Sequence, residues 1–132
     1  MLTPCEVAVK IALPSIRAMV ANELMSKYNL NQVEAAKVLG ISQPAVSLYQ
    51  QKLRGNSISL EGDKEITSLV TKHADFLVNC DPSYVDKLTS FCQICKAIKS
   101  KGYLCKIHEA FDPTIDIKKC DFCKIENALF CP

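Results

Sequence analysis

The sequence of 132 residues lacks the features that mark several common classes of protein. No apolar run approaches the roughly 20 residues that a membrane-spanning helix needs, so we expect no contact with a membrane. The N-terminus has no basic region followed by an apolar stretch, so we expect no signal peptide and predict a cytoplasmic protein. Only four glycines are present, without a phosphate-binding loop. No paired carboxylates and no Ser/His/Asp set stand out either, so we do not expect an enzyme.

Charge and cysteine are unevenly distributed along the chain. The net charge of +2 is too small to mark a strongly basic nucleic-acid-binding protein by composition alone. Residues 1–55 carry +3, however, and residues 56–132 carry −1, while six of the eight cysteines fall in the last 41 residues. This asymmetry predicts a basic N-terminal module over residues 1–55 and a C-terminal module with a different function over residues 56–132.

Helical patterns predominate in the first part of the chain, so the predicted fold class is mainly α. Thr3, Pro4 and Glu6 form a capping signature for a helix start. Pro14 is expected to break or kink that helix. The apolar spacing then predicts a second helix over residues 14–28.

The C-terminal part of the chain continues the helical pattern. After a break at residues 55–57, the short stretch 58–60 is interpreted as a small strand or a linker. An apolar stripe predicts a helix from Asp63 to Cys80, and a second helix follows residues 81–83 and ends at Gly102. Beyond Gly102 the pattern is too weak to predict an element.

Residues 32–53 carry the signature of a helix-turn-helix, in which two short helices meet at a sharp angle. Ala36 is the small residue that lets the second helix cross the first, and Gly40 tolerates positive φ in the turn. Ile41 follows as an apolar plug, while Val46 and Tyr49 lie on one face of the second helix. The alternative is that two amphipathic helices simply pack together in a bundle.

The opposite face of the second helix is the candidate DNA-reading surface. Glutamine can bond adenine through two hydrogen bonds, serine can bond bases or phosphates, and leucine can contact a thymine methyl. Basic side chains nearby would meet phosphates, which position a protein without specifying sequence. The predicted base-reading residues are Ser42, Gln43, Pro44, Ser47, Leu48 and Gln51, and the predicted phosphate contacts are Lys37, Lys52 and Arg54.

The first 55 residues resemble the N-terminal domain that a group of archaeal transcriptional regulators shares. In that group the domain is joined to various C-terminal sensor domains, and some members resemble this chain in their cysteine spacing as well. The resemblance implies an iron–sulfur or other metal-bearing regulator. It rests on Thr3-Pro4-Cys5-Glu6, Leu13-Pro14-Ser15-Ile16-Arg17, Gln43-Pro44-Ala45-Val46-Ser47 and Arg54-Gly55, and more loosely on Cys92/Cys95, Leu104-Cys105 with His108, and Cys120/Cys123.

Two Cys-x-x-Cys pairs separated by a loop are a strong signal for metal binding. Cys92 and Cys95 stand three apart on a predicted helix, so both sulfurs face one side. Ligation would fasten the second pair, which lies in a tail with little other means of ordering itself. The candidate ligands are Cys92, Cys95, Cys105, Cys120, Cys123 and Cys131, with His108 as an alternative ligand.

Three occupants of the cysteine-rich region remain open. An iron–sulfur cluster needs four thiolates, and Cys131-Pro132 is similar to the Cys-Pro that closes ferredoxin-type runs. We prefer this cluster, 4Fe-4S over 2Fe-2S. Zinc would be satisfied by the two pairs, but zinc ribbons usually have glycine where Lys96 and Lys124 stand. A reversible disulfide switch would need thiols alone.

The isolated residues have simpler interpretations. We expect Cys5 and Cys80 to be small buried hydrophobes. His73 lies on an apolar helical face, where a hydrogen-bonded core or interface histidine is expected.

Taken together, the sequence predicts a homodimeric, sequence-specific regulator that binds a double-stranded DNA operator, with binding modulated by the cysteine-ligated cluster. Dimers place two recognition helices in successive major grooves about 34 Å apart. The apolar stripe from Ile66 to Cys80 is the predicted dimer element, unless it packs inside the monomer. The alternatives are a regulator with zinc or a thiol switch, and, in another class, a small iron–sulfur electron-transfer protein. RNA binding is disfavoured because no aromatic stacking strip accompanies the basic residues.

Overall fold

The structure, a computed structural model, describes residues 1–124. The predicted mainly α class is confirmed: the described residues contain helices and turns but no strand. Cys131 lies outside the described residues. The elements are α1 (Pro4–Val7), a π-helical segment (Ala8–Ala12), α2 (Leu13–Lys27), α3 (Gln32–Leu39), α4 (Gln43–Gln50), α5 (Lys64–Asn79), α6 (Tyr84–Ser100), α7 (Cys105–Phe111) and a 3-10 turn (Phe122–Lys124).

The N-terminal helical run begins where the sequence predicts, and its hydrogen-bonding pattern changes just before Pro14. The Thr3 side chain accepts a hydrogen bond from the Glu6 backbone, and the Glu6 side chain accepts one from the Thr3 backbone. Pro14 lies in the first turn of α2 and has no N–H to donate to the preceding turn. The π-helical segment directly precedes α2, and the backbone stays helical through Leu13. The predicted kink is therefore a local widening of a continuous helical run.

Helix α2 lies at the centre of the molecule. Its side chains Ile16, Val20 and Leu24 are completely buried. The helix contacts α3 and α4 on one side and α5 and α6 on another. One hydrophobic cluster consequently includes residues from both predicted modules, from Val7 to Leu104.

The stripe on α5 is buried within a single chain. Ile66, Val70 and Ala74 are at most 3% exposed, and α5 packs against α2 and α6. The central side chains of the stripe belong to the monomer core, which favours the alternative that the stripe packs inside the monomer. On α6, by contrast, Tyr84 and Val85 are 75% and 67% exposed.

The segment between α4 and α5 is a linker rather than a strand. Leu60 is buried and anchors it to the core. Gly55 has φ +76° and lies so close to α2 that an added Cβ would be 2.6 Å from the Pro14 carbonyl oxygen. A glycine is required here for the approach to α2 as well as for the backbone conformation.

Helix α7 was not predicted from the sequence. It is held by the N-terminus, because the His108 Nε2 atom lies 2.6 Å from the Leu2 carbonyl oxygen. The Leu2 N–H in turn donates to Asp112 Oδ2 at 3.0 Å. A helix this short depends on such distant partners and leaves little periodicity to detect. None of the helices within residues 1–124 is long and apolar enough to cross a membrane.

Candidate functional site

Helices α3 and α4 are joined by a tight turn whose caps follow the sequence expectations. The Asn31 side chain and Glu34 form a reciprocal cap at the start of α3. The helix ends at Gly40, which adopts the left-handed conformation with φ +67°. Ser42 then caps α4, and its hydroxyl accepts a hydrogen bond from the Ala45 N–H at 3.2 Å. These local hydrogen bonds fix the direction of α4 relative to α3.

One side of this helix pair is anchored in the core. Ala35 and Ala36 on α3 are nearly inaccessible, and so are Val46 and Tyr49 on α4. Small alanine side chains allow the two helices to approach closely, as the sequence predicts for Ala36. Because the inner face is packed, the outer face of α4 is presented in a single orientation.

The outer face carries the predicted base-reading residues. Ser47 is half-buried, and the others are exposed. The Gln43 amide donates to Gln32 Oε1 at 2.6 Å, and the Gln32 amide donates to Gln50 Oε1. Sequence reasoning missed Gln32 and Gln50, because the chain of amides crosses from α3 to α4. The exposed residues are Ser42, Gln43, Pro44, Leu48 and Gln51.

The three predicted phosphate contacts lie on two sides of the helix pair. Lys37 on α3 lines a cavity that faces α6. Lys52 and Arg54 line a smaller cavity against α2, and the Arg54 guanidinium lies 5.6 Å from the centre of the Tyr49 ring. All three side chains are exposed. They flank the outer face of α4 rather than forming one basic strip.

Among the described residues, the candidate cysteine ligands lie on two helices, in the 3-10 turn and in the loop before that turn. Cys92 and Cys95 lie on α6, with Cys95 buried, and Cys105 begins α7. Cys120 is exposed, and Cys123 lies half-buried in the 3-10 turn, which packs against α6. Within residues 1–124, no three His, Cys, Asp or Glu side chains lie close enough to hold one metal ion together.

Cys5 corrects the sequence prediction. Both Cys5 and Cys80 are exposed, so the expectation that they are buried hydrophobes is wrong. Cys5 stands in the outward-facing first turn of α1, whereas Cys80 follows the last residue of α5. Cys5 lines the same cavity as Cys92 and Cys95. Cys5 and the α6 pair therefore face one cavity, although no spacing rule could have connected residues so distant in sequence.

The pKa of Cys123 reflects the charges of other cysteine thiols near it. Burial raises the pKa of Cys123, and negative charge on Cys105, Cys120 and Cys5 raises that pKa further. Lys99 acts in the opposite direction and lowers the pKa of Cys123. The 3-10 turn thus brings Cys123 within electrostatic range of thiols from three other parts of the chain.

The two histidines both have partners in the fold. His73 is buried and its Nδ1 lies 2.7 Å from Ser90 Oγ, which confirms the prediction of a hydrogen-bonded core histidine. Burial lowers the pKa of His73 and favours its neutral form. His108, the alternative ligand, is engaged with the Leu2 carbonyl.

Comparisons with known proteins were made at three levels. No protein-family model, no curated protein and no solved structure matches the chain.

Proposed function

We propose that the protein is a sequence-specific regulator that binds double-stranded DNA through α3 and α4, arranged as a helix-turn-helix. The observation that carries this proposal is the outer face of α4, which is polar, exposed and fixed from behind by Val46 and Tyr49. In helix-turn-helix proteins the N-terminal residues of the second helix contact base edges. Ser42, Gln43 and Pro44 occupy that position here.

The side chains on this face have suitable chemistry for base recognition. Gln43 can offer both an acceptor and a donor to adenine, and Leu48 can contact a thymine methyl. The hydrogen bond from Gln43 to Gln32 holds the Gln43 amide in place before DNA arrives. Such preorganisation reduces the entropy that binding would cost. The likeness to archaeal regulators in residues 1–55 supports the same function.

The regulator is proposed to act as a homodimer, because a single helix reads too few bases for useful specificity. Since α5 is covered within the monomer, the apolar side chains that remain for pairing include Tyr84 and Val85 at the start of α6. Exposed aromatic and aliphatic side chains of this kind are typical of interfaces. The proposed dimer contact is therefore the N-terminal end of α6.

We further propose that the cysteine-rich region holds an iron–sulfur cluster, 4Fe-4S rather than 2Fe-2S, which modulates DNA binding. Support comes from the α6 pair Cys92 and Cys95 and from the packing of the turn that carries Cys123 against α6. A bound cluster would supply redox sensitivity and thiolate crosslinks. Allosteric effects of about 1–3 kcal/mol would suffice to change operator affinity. The ligands are proposed to come from Cys92, Cys95, Cys105, Cys120, Cys123 and Cys131.

DNA binding is tested by selecting preferred sequences from a random duplex library and measuring affinity at several salt concentrations. The Gln43→Ala and Ser47→Ala variants should lose preference at particular base pairs, at a cost of about 1–3 kcal/mol for each lost base contact. Gln93→Ala is the matched control, since Gln93 is an exposed glutamine on α6. Unchanged sequence preference in both α4 variants would contradict the placement of the recognition helix.

The cofactor is tested separately, by anaerobic purification followed by visible spectroscopy and by iron and zinc analysis. Serine variants of the proposed ligands should lower iron content, whereas Cys80→Ser should not, because Cys80 is an exposed cysteine at the end of α5 and is not among the proposed ligands. A colourless, zinc-loaded protein would contradict the iron–sulfur proposal and support the zinc alternative. An iron–sulfur protein without DNA affinity would favour the electron-transfer alternative.

A further inference from the structure

A large groove lies between the N-terminal helical run, the turn after α3 and the face of α6. Its volume is about 660 Å³. Ligand pockets in proteins commonly measure about 300–1,000 Å³ and are mostly apolar, with a few polar groups that fix orientation. The apolar lining here includes Leu13, Ile41, Leu77, Leu88 and Phe91. The groove thus has both the size and the surface of a small-molecule site.

The charged side chains of this groove all have the same sign. Among the described residues, its lining contains four cationic side chains and no carboxylate. The chain as a whole is nearly balanced, with 16 basic and 14 acidic residues, so an all-cationic lining is a local feature. Like charges around an apolar groove favour an anionic occupant. The four cations are Arg17, Lys37, Lys87 and Lys99.

Arg17 is the best-placed anchor for such an anion. It projects from α2 and is half-buried, and its guanidinium carbon lies 5.9 Å from the centre of the Phe91 ring on α6. None of the ion pairs formed within residues 1–124 joins Arg17 to a carboxylate. A guanidinium presents parallel donors that match the two oxygens of a carboxylate. Stacking on Phe91 holds this fork beside the apolar lining.

We propose that the groove binds a small organic carboxylate with an apolar body, its carboxylate on Arg17 and its body along Leu77, Leu88 and Phe91. The proposal goes beyond the DNA-binding function and does not depend on it. Cys5, Cys92 and Cys95 line the same groove. Because Gly40 and Ile41 also line the groove, an occupant would touch the turn that orients α4.

The test uses two probes of matched length and opposite charge, octanoate and octylammonium, titrated into the full chain by calorimetry. Octanoate should bind saturably at one site, and octylammonium should bind at least about tenfold more weakly, since a charge-assisted hydrogen bond is lost. Amide NMR shifts should change at residues 37–41 and 84–92. Absence of saturable octanoate binding, or equal affinity for the two probes, would overturn the proposal.

Single-residue variants test whether the carboxylate of octanoate binds at Arg17. Arg17→Met keeps an apolar side chain beside Phe91 and should weaken octanoate binding at least about tenfold. Lys118→Met, at an exposed lysine away from the groove, should bind octanoate like the original chain. Far-UV circular dichroism checks that each variant folds. If Arg17→Met does not fold, Lys37→Met replaces it, because Lys37 is an exposed lysine that also lines the groove. Lys37→Met should weaken octanoate binding by a smaller factor. Full octanoate affinity in folded Arg17→Met would refute the proposed anchor, as would full affinity in Lys37→Met where it serves as the replacement.

Discussion

Three glycine-to-alanine substitutions separate the cost of backbone conformation from the cost of steric contact. Gly40 and Gly55 both have positive φ, +67° and +76°, but their surroundings differ. A Cβ at Gly40 would meet nothing within 4 Å, whereas a Cβ at Gly55 would lie 2.6 Å from the Pro14 carbonyl oxygen and 2.8 Å from Ala18 Cβ. Gly62 has neither a positive φ nor a close neighbour, and serves as the control.

The expected loss of unfolding free energy follows from these distances. Gly40→Ala should cost about 1–2 kcal/mol, the penalty for placing a side chain in the left-handed region. Gly55→Ala should cost that amount plus about 1–3 kcal/mol, because backbone of α2 must shift to admit the methyl group. Gly62→Ala should be neutral or more stable by about 0.4–1 kcal/mol, since alanine restricts the unfolded chain.

Urea denaturation followed by circular dichroism measures all three variants under one set of conditions. The slope of unfolding free energy against urea should stay constant, so that differences in midpoint report differences in stability. Equal destabilisation by Gly40→Ala and Gly55→Ala would refute the reasoning, because only the contact with Pro14 and Ala18 distinguishes the two sites. If Gly62→Ala lowered the unfolding free energy as much as Gly40→Ala or Gly55→Ala does, the argument from positive φ would be wrong.

Three further predictions concern acidity and assembly. Burial lowers the pKa of His73 below its value of 6.5 in an unfolded chain, so the unfolded state takes up the proton first as pH falls. The unfolding free energy should therefore decrease between about pH 7.5 and pH 5.5, and it should decrease less in the His73→Gln variant. Urea titrations at both pH values measure this difference. Hydrogen bonds from Tyr103, from the Ile66 backbone and from Lys101 lower the pKa of Asp63 from 3.8 to about 2, so its contribution is present above pH 3.8 and lost as pH falls towards 2. Asp63→Asn should remove this acid-dependent part of the stability curve and Asp81→Asn should not; identical curves for both would contradict the assignment. Val85→Asp should shift the sedimentation coefficient from dimer to monomer, while Val33→Asp, at a similarly exposed valine on α3, should leave the dimer intact.

Local signals account for what the sequence predicted well. The caps at Thr3 and Ser42 and the left-handed Gly40 depend on neighbours within a few residues, so their structure could be derived from sequence alone. The same holds for the buried side of α4, where Val46 and Tyr49 share one helical face.

The features that the sequence left open, missed or predicted wrongly depend on contacts between distant residues. An apolar stripe on α5 shows that something covers the helix, but not whether the cover is α2 and α6 or a second subunit. The sequence predicts a buried Cys5 because single cysteines are usually buried, but the packing of α1 against the rest of the chain decides its exposure. Helix α7 escaped prediction because Leu2 is its partner.

The link between Leu2 and α7 has a consequence for how the chain folds during synthesis. The two hydrogen bonds join residues 106 and 110 positions apart. Leu2 is synthesised long before these partners, so the hydrogen bonds can form only after His108 and Asp112 have emerged from the ribosome. Contacts over such a separation slow folding relative to helical proteins stabilised mainly by neighbours in sequence. The N-terminal helix pair can therefore form well before Cys105 reaches its final position, and any metal or thiol chemistry at that residue begins on a chain that is already partly folded.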